Sequence, residues 1–451
     1  MLTKSSEHNP NYLATIVKIE NLRKHSNADR LQCANVFANN VITSLNCQVG
    51  ALYVFFPLES AISPTFLAFT NSYEDKGMNQ DNTVKGYFNK AGRVRAIRLR
   101  GERSEGYMVP VSELETFAKD VLKKRITFTE EDVGKDFDEL FGHRICQKYM
   151  VPVKGTQGAK KTKGSLKKYE SKLVDGQFRL HYDTEHLKRH MDKISPDDVI
   201  SISNKVHGTS FVVANVLTKK RMTFIQRLLR KFGVPVVEEE YNMLYASRCV
   251  IKNQNFLDSK DTGGFYKEDI WKLAADKLFP FMFHGLSVYG EIVGYTPGGG
   301  FIQKDYDYGC EVGQHDIYIY RLTFTSANGH VYELPYNHVV AWANKNGVKA
   351  VETYYQGKAK DLYPDIPLNE FWHDEYLSRL IRDYLEKDCH ICKNVVPDEG
   401  IVLRKDVPND YQAFKLKSFK FLERETKELD AGKVDTESEQ ATLSDDDDGN
   451  Q

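Results

Sequence analysis

The strongest constraint in this sequence is an ordered set of charged residues, each carried in or beside a strand-like segment. Lys205 stands in NKVHGTSF, Arg248 in YASRC, Glu291 in VYGEIVGY, Glu399 in DEGIVLRK, and Lys415 with Lys417 in AFKLKSF. Successive side chains of a strand point to opposite faces, so Lys415 and Lys417, two apart, share one face. VISIS (199–203), SFVVANVL (210–217) and HDIYIYRLTF (315–324) are further strand signals. Helical patterns are fewer. FIQRLLRKFG (224–233) sets Phe224, Leu228 and Leu229 against Arg227, Arg230 and Lys231, and NEFWHDEYLSRLIRDYLEKD (369–388) is a second helix. Strands outnumber helices, which predicts an α+β class.

The first part of the chain, from Asn11 to about Leu114, reads as short strands and turns, and about 100 residues of such strands suit a small barrel of the OB type. Within it, GRVRAIRLRG (92–101) alternates apolar and basic residues with one phase slip at 96–97. Arg93, Arg95, Arg98 and Arg100 are therefore candidates for phosphate contacts, or else form a basic edge that blunts aggregation. Residues 154–168 hold six lysines and no acid, as expected of a solvated linker. Residues 425–451 hold ten acidic residues and two lysines, a balance of −8 within a chain total of −1, so the remainder carries about +7. A basic body with an acidic tail suits a nucleic-acid protein. The resulting division is an OB-type nucleic-acid-binding module (1–152), a basic linker (153–175), an antiparallel-sheet catalytic domain (176–425) and a disordered acidic tail (426–451).

Composition excludes several other classes. Apolar residues make up 41% of the chain and aromatics 12%, enough for real cores. No apolar run approaches the length of a membrane span, and the N-terminus lacks the apolar centre of a signal peptide, so an intracellular soluble protein is expected. Seven scattered cysteines do not form a disulfide framework. Cys389 and Cys392 form a CxxC pair without the two further ligands a structural zinc site needs. There is no GxxxxGK[ST] phosphate loop, and the glycines at 298–300 read as an ordinary loop.

A site built from the ordered charges has a definite chemistry. A lysine amine is a nucleophile once burial and neighbouring cations free its lone pair. Lys415 and Lys417 would bind phosphate oxygens and help keep Lys205 neutral. The two glutamates could hold ribose hydroxyls and a divalent metal that neutralises phosphates during in-line attack. Gly208 would let the backbone come close to a nucleotide.

In this order, KxHG, GE, EGIVL and KLK resemble the covalent nucleotidyltransferase superfamily of ATP-dependent ligases and capping enzymes. KVHGTS, with His207 in place of an acidic residue, resembles its RNA ligase branch. GEIVGYTPGGGFIQKDYDYGCEVGQHDIYIYRLTF (290–324) is similar to the same stretch of phage-type nick-sealing RNA ligases. HSNADRL, VFFPLESAIS and GYFNKAGRVRAIRLRGERSEG are similar to the OB module of Deinococcus-type RNA ligases. The resemblance spans about residues 12–425. It implies Lys205 as the nucleophile that takes AMP from ATP, with His207, Gly208 and Thr209 completing its motif. It further implies Arg248 on the nucleotide or strand end, Glu291 on the ribose, Tyr320 (or the nearby Tyr318) stacked on adenine, Glu399 supporting Mg²⁺ or Mn²⁺, and Lys415 with Lys417 on the α-phosphate. Asn204, before the nucleophile, departs from relatives that carry an acidic residue there.

The implied activity is ATP-dependent joining of 3′-hydroxyl and 5′-phosphate ends of RNA, or of nicks with RNA on the 3′-hydroxyl side, with RNA or an RNA-containing duplex as partner and no obligate protein partner. A DNA ligase and an mRNA guanylyltransferase are the enzymatic alternatives. Both usually place an OB module after the catalytic domain, and here only about ten residues stand between Lys417 and the acidic tail. A noncatalytic nucleic-acid binder that kept the scaffold is the alternative from another class.

Overall fold

Strand-forming runs dominate the computed structural model, which describes residues 1–150, 173–181, 183–220, 222–248, 250–252, 268–407 and 409–431. The lysine-rich segment 154–168 and the tail beyond residue 431 lie outside the described residues. In the N-terminal part, β1 (Ala14–Lys18) pairs β5 (Leu52–Phe56), while β2 (Leu22–Lys24), β3 (Leu31–Val36) and β4 (Asn39–Ser44) form a separate meander. β6 (Tyr107–Pro110) and β7 (Asp136–Phe137) complete the four-stranded sheet in the order β6-β5-β1-β7. α1 (Val111–Asp120) buries Leu114, Phe117 and Ala118 against this sheet's core. The described residues of this part form several small sheets, and no closed barrel is found among them, so the barrel expected from strand density is not confirmed. The strands are short, and pairing breaks at the loop around residues 70–95.

The rest of the chain is two antiparallel sheets face to face. The first has the order β8-β17-β16-β9-β15: β8 (Glu185–His186), β17 (Asp410–Lys417), β16 (Gly400–Val407), β9 (Val199–Asn204) and β15 (Thr353–Lys358), with the β8 edge parallel. The second centres on β10 (Thr209–Lys219), β11 (Glu239–Ala246), β12 (Leu286–Gly294) and β13 (His315–Thr325), ordered β11-β10-β12-β13, with β14 (Val331–Glu333) at its edge. α5 (Trp372–Tyr384) covers the outer face of the first sheet, packing Trp372, Tyr376 and Leu380 on Ile200, Ile202, Leu403, Phe414 and Leu416. α3 (Ile270–Leu278) and α4 (Tyr336–Lys345) cover the second. Both outer faces are apolar, so period-two alternation turns Ser203, Val402, Arg404, Lys415 and Lys417 inward, onto a cleft between the sheets. This is the α+β class read from the sequence.

Two helices depart from expectation. α2 (Phe224–Lys231) forms as its pattern predicts and starts on a capping box between Thr223 and Gln226. Its apolar side nevertheless faces solvent, with Phe224 80% and Ile225 67% exposed. α6 (Phe419–Asp430) runs five residues past the boundary expected at 425. Its extension is held by burial of Thr426 and by the arginine-rich segment of the N-terminal part. Arg93, 1% exposed, pairs with Glu59 (3.2 Å) and Asp430 (2.9 Å). Arg95 pairs with Asp430 (3.2 Å) and Arg98 with Glu423 (3.3 Å). Arg93, Arg95 and Arg98 are therefore consumed by an internal contact and are not an open phosphate-binding face. Arg100 sits in the left-handed region, φ +49°, at the turn before Gly101.

Arg93→Met is expected to lower unfolding stability by about 3 kcal/mol, the low end for breaking a buried ion pair, because Asp430 stays partly hydrated. Urea unfolding of the two proteins measures it, and an unchanged midpoint would show that the contact contributes nothing.

Candidate active site

Close backbone approaches place the site. Lys205 follows β9, and its N–H donates to Gly400 O at 2.9 Å, which sets the lysine beside Glu399. Gly400 has φ +134°, and a Cβ there would lie 2.1 Å from Leu416 O. At Gly208 the backbone is tight against β12: a Cβ there would meet Ile292 O at 2.4 Å. Ser418 caps α6 by accepting from Phe421 N, and its hydroxyl donates to Asp398 O, which ties α6 to the Glu399 segment.

Glu399 is the centre of the charge cluster. Its Oε1 lies 2.8 Å from Lys205 Nζ and 3.1 Å from Lys417 Nζ, and its Oε2 lies 3.8 Å from His207 Nδ1. Burial pushes this carboxyl up, but Lys205, Lys417 and His207 together overcome burial and hold it at about 2. Lys417 also lies 3.7 Å from Glu425 of α6. Burial lowers its ammonium, and Glu425 with Glu399 raise it well above the ordinary lysine value. Lys415 lies 4.0 Å from Asp183. Burial, opposed by Asp183 and reinforced by Lys417, Arg248 and Lys205, brings Lys415 down to about 8. Arg248, just beyond β11, forms an ion pair with the same Asp183.

Glu291 enters from the second sheet, buried, accepting a 2.7 Å hydrogen bond from Ser210 Oγ. Tyr320 lines the cleft, and its hydroxyl bonds His181 Nδ1 at 2.9 Å. Tyr318 instead packs in the core, 6.1 Å from the Tyr308 ring. The pairs Tyr289–Arg321 and Gly290–Ile319 leave Tyr320 as the extra residue of a β-bulge, which separates it from Tyr318. His207 stacks edge-on between Tyr306 and Phe421, each at 4.8 Å, behind Glu399. Thr209 is buried at the start of β10, and its Oγ1 has no hydrogen-bond partner among the described residues. Asn204 borders the cleft, and its side chain donates to Asp398 and Tyr354 Oη at 3.0 Å.

The cleft thus gathers Lys205, Arg248, Glu291, Tyr320, Glu399, Lys415 and Lys417, and leaves His207, Gly208 and Thr209 as its support. The sequence reading missed Asp183, Glu425 and His181. It also missed Tyr12, Glu59, Lys148 and Tyr149, which the N-terminal part sends into the same cleft. The segment HYDTEH (181–186) was the one available signal: three titratable residues before a strand.

Two facing sheets with this connectivity form a nucleotidyltransferase fold. A variant of the Naegleria gruberi RNA ligase solved with AMP and Mn aligns over 92% of this chain and 98% of its own, at 16% identity and TM-score 0.54. A variant with ATP and Mn aligns over 92% and 98%, at 15% identity and TM-score 0.52. The same ligase with PPi aligns over 92% and 99%, at 16% identity and TM-score 0.53. Identity at this level speaks for the fold. The family model described as RNA ligase matches residues 198–422, and the chain belongs to the RNA ligase family. No curated protein matches in sequence.

Proposed function

We propose that this RNA ligase uses ATP to join RNA ends through an adenylylated Lys205, and that its preferred substrate is a nick with RNA on the 3′-hydroxyl side. The observation that carries the reading is the Lys205–Glu399–Lys417 cluster in a cleft lined by charged and aromatic side chains. Lys205 Nζ, once it has given up its proton and left the ion pair, attacks the α-phosphorus. A P–N bond forms, the bond to the β-phosphate oxygen breaks, and pyrophosphate leaves. AMP then passes to a 5′-phosphate, and a 3′-hydroxyl displaces it to form the phosphodiester. Lys415 and Lys417 hold the α-phosphate oxygens and stabilise the charge they gain. Glu291 binds the ribose, Tyr320 stacks on the base, and Arg248 leaves Asp183 to meet the nucleotide or the strand end.

The donor set suits a hard divalent cation, because Glu399 Oε2 is buried with no hydrogen-bond partner among the described residues. Glu399 would hold Mg²⁺ or Mn²⁺, which when bound neutralises phosphate charge. The Naegleria gruberi structures with ATP and Mn support the same pairing of nucleotide and metal.

The N-terminal part, in this reading an OB-type module ending near residue 152, holds the nucleic acid, and Tyr12, Glu59, Lys148 and Tyr149 are the residues it lends to the cleft. The preference for RNA follows from His207 and from the position of this module before the catalytic domain. Among the described residues no helix is long and apolar enough to cross a membrane. A set of nicked duplexes that differ in the sugar at the 3′-hydroxyl end tests the substrate. RNA-terminated nicks should be sealed at least about tenfold faster than all-DNA nicks, and equal rates would refute the assignment.

The Lys415 value adds a pH signature. The free protein loses this positive charge as pH rises through about 8, so kcat/KM for lysine adenylylation should fall above that pH. Lys415→Arg, which keeps its charge, should flatten that limb of the profile. A limb unchanged in the arginine variant would assign the titration elsewhere.

A further inference from the structure

Cys389 and Cys392 lie on a turn between α5 and β16 and take no part in the chemistry described above. The turn closes on itself. Cys389 N–H donates to Val396 O at 2.8 Å, and Asp388 pairs with Pro397 in an antiparallel bridge. Bends at His390 and Ile391 fold the chain back, and the Cys392 thiol donates to Cys389 Sγ. Cys389 is 6% exposed, among the core residues of the second sheet, and Cys392 is half-buried at the edge of that core. Among the described residues no group of three metal ligands gathers, so the pair lacks the partners a zinc site needs.

The turn is tied to the catalytic residues from three sides. Asp307 accepts from Lys393 N and Asn394 N, both at 2.9 Å, which docks the turn on the loop at 306–310. Tyr308 of that loop donates its backbone N–H to Cys392 Sγ, and its hydroxyl accepts from His207 N at 2.6 Å. His390 pairs with Glu352 at 2.8 Å, and Glu352 O accepts from the N–H of Asn204, beside Lys205. The turn itself runs through Asp398 into Glu399.

We propose that Cys389 and Cys392 are an oxidation site, which hydrogen peroxide converts into a disulfide that slows adenylylation of Lys205. The site stands apart from the nucleotidyl-transfer reading, and its effect on labelling rests on that reading. The Cys389 thiolate attacks one peroxide oxygen, the O–O bond breaks, hydroxide leaves and a sulfenic acid forms. Cys392 Sγ then attacks the Cys389 sulfur. An S–S bond forms, the S–O bond breaks, and the hydroxyl leaves as water with the Cys392 proton. The two sulfurs lose two electrons and the peroxide gains them. The Cys392 hydrogen bond, opposed by burial and helped by the N–H groups of Cys392 and Ile391, brings the Cys389 thiol down to about 7. Burial instead pushes up the thiols of Cys33, Cys47, Cys146 and Cys310, which stay protonated at neutral pH. The disulfide tightens the turn and makes Cys392 a poorer acceptor for Tyr308 N–H. Both changes move backbone that sets His207 and Glu399 in place.

Peroxide treatment of the whole chain tests this. Remaining thiols are alkylated after denaturation, and peptides are mapped by mass spectrometry. Cys389 and Cys392 should be joined, while Cys33, Cys47 and Cys146 stay alkylated. Acid-stable labelling from α-phosphate-marked ATP should then slow by about fivefold or more, since small misplacements of reacting groups cost up to about 10²-fold. Dithiothreitol should restore the starting rate. Cys389→Ser should label at the wild-type rate before and after peroxide. Cys392→Ser should stop at the sulfenic acid, which dimedone traps on Cys389. A wild-type protein that forms no Cys389–Cys392 disulfide overturns the site, and a mapped disulfide with unchanged labelling overturns its effect, whether or not the variants fold. Equal loss in Cys389→Ser and wild type would assign the damage elsewhere and overturn it too. No label on the reduced wild type would overturn the nucleotidyl-transfer reading and leave the peptide map to decide the site.

Discussion

Lys205→Ala should abolish covalent nucleotide labelling, by at least about 10⁴-fold, while leaving the fold and ATP binding largely in place. The magnitude follows from the role: without the amine no P–N bond can form, and a nucleophile's removal costs more than that of any supporting group. Stability should hold because Lys205 is partly exposed at the cleft mouth, with 22% of its side chain open to solvent. Its removal leaves Glu399 paired with Lys417 at 3.1 Å. The variant should still seal a nick whose 5′ end has been adenylylated beforehand, since that step needs no lysyl-AMP. Labelling with α-phosphate-marked ATP, followed by acid precipitation, measures the first effect. Persistent acid-stable label on the alanine variant would remove Lys205 from the mechanism.

Glu399→Gln should slow adenylylation by about 10²–10³-fold, the usual effect of deleting one preorganised electrostatic group. Glu399 does two things at once. It ties Lys205 to Lys417, and its Oε2, without a hydrogen-bond partner among the described residues, is the oxygen best suited to a divalent cation. The amide preserves the shape but removes the charge, so the loss should fall mainly on kcat. ATP binding without added metal should be no weaker than in the wild type, because the phosphates then face one carboxylate fewer. Equilibrium ATP binding with and without metal, beside single-turnover labelling, separates the two. Weaker metal-free binding with an unchanged rate would show that Glu399 acts as a nucleotide ligand and nothing more.

Much of the catalytic sheet was legible because strand alternation is a strict rule. Lys415 and Lys417 share a face as their spacing requires, Glu291 comes from a predicted strand, and Glu399 sits just before another. What was not legible has local causes. The same alternation puts Tyr318 and Tyr320 on one face, and a single bulged residue, invisible in the pattern, separates them. The alternating arginines at 93–98 look like a nucleic-acid surface until Glu423 and Asp430, more than 300 positions away, are found against them. Gly208 signals a tight backbone without saying which neighbour is close. Asp183 and Glu425 lie outside any strand pattern and become site residues only through the packing of distant segments.

The contact between Arg93 and α6 has a consequence for how the molecule comes apart. Lys417 ends β17, Ser418 caps α6, and α6 carries Thr426 and Asp430 into the N-terminal part. The beginning and the end of the described chain are thereby joined beside the catalytic strand. Loss of the N-terminal part would strip buried partners from the helix that anchors Lys417. The two halves are thus coupled in folding cooperativity, and melting of the N-terminal part would loosen the strand end that carries Lys417.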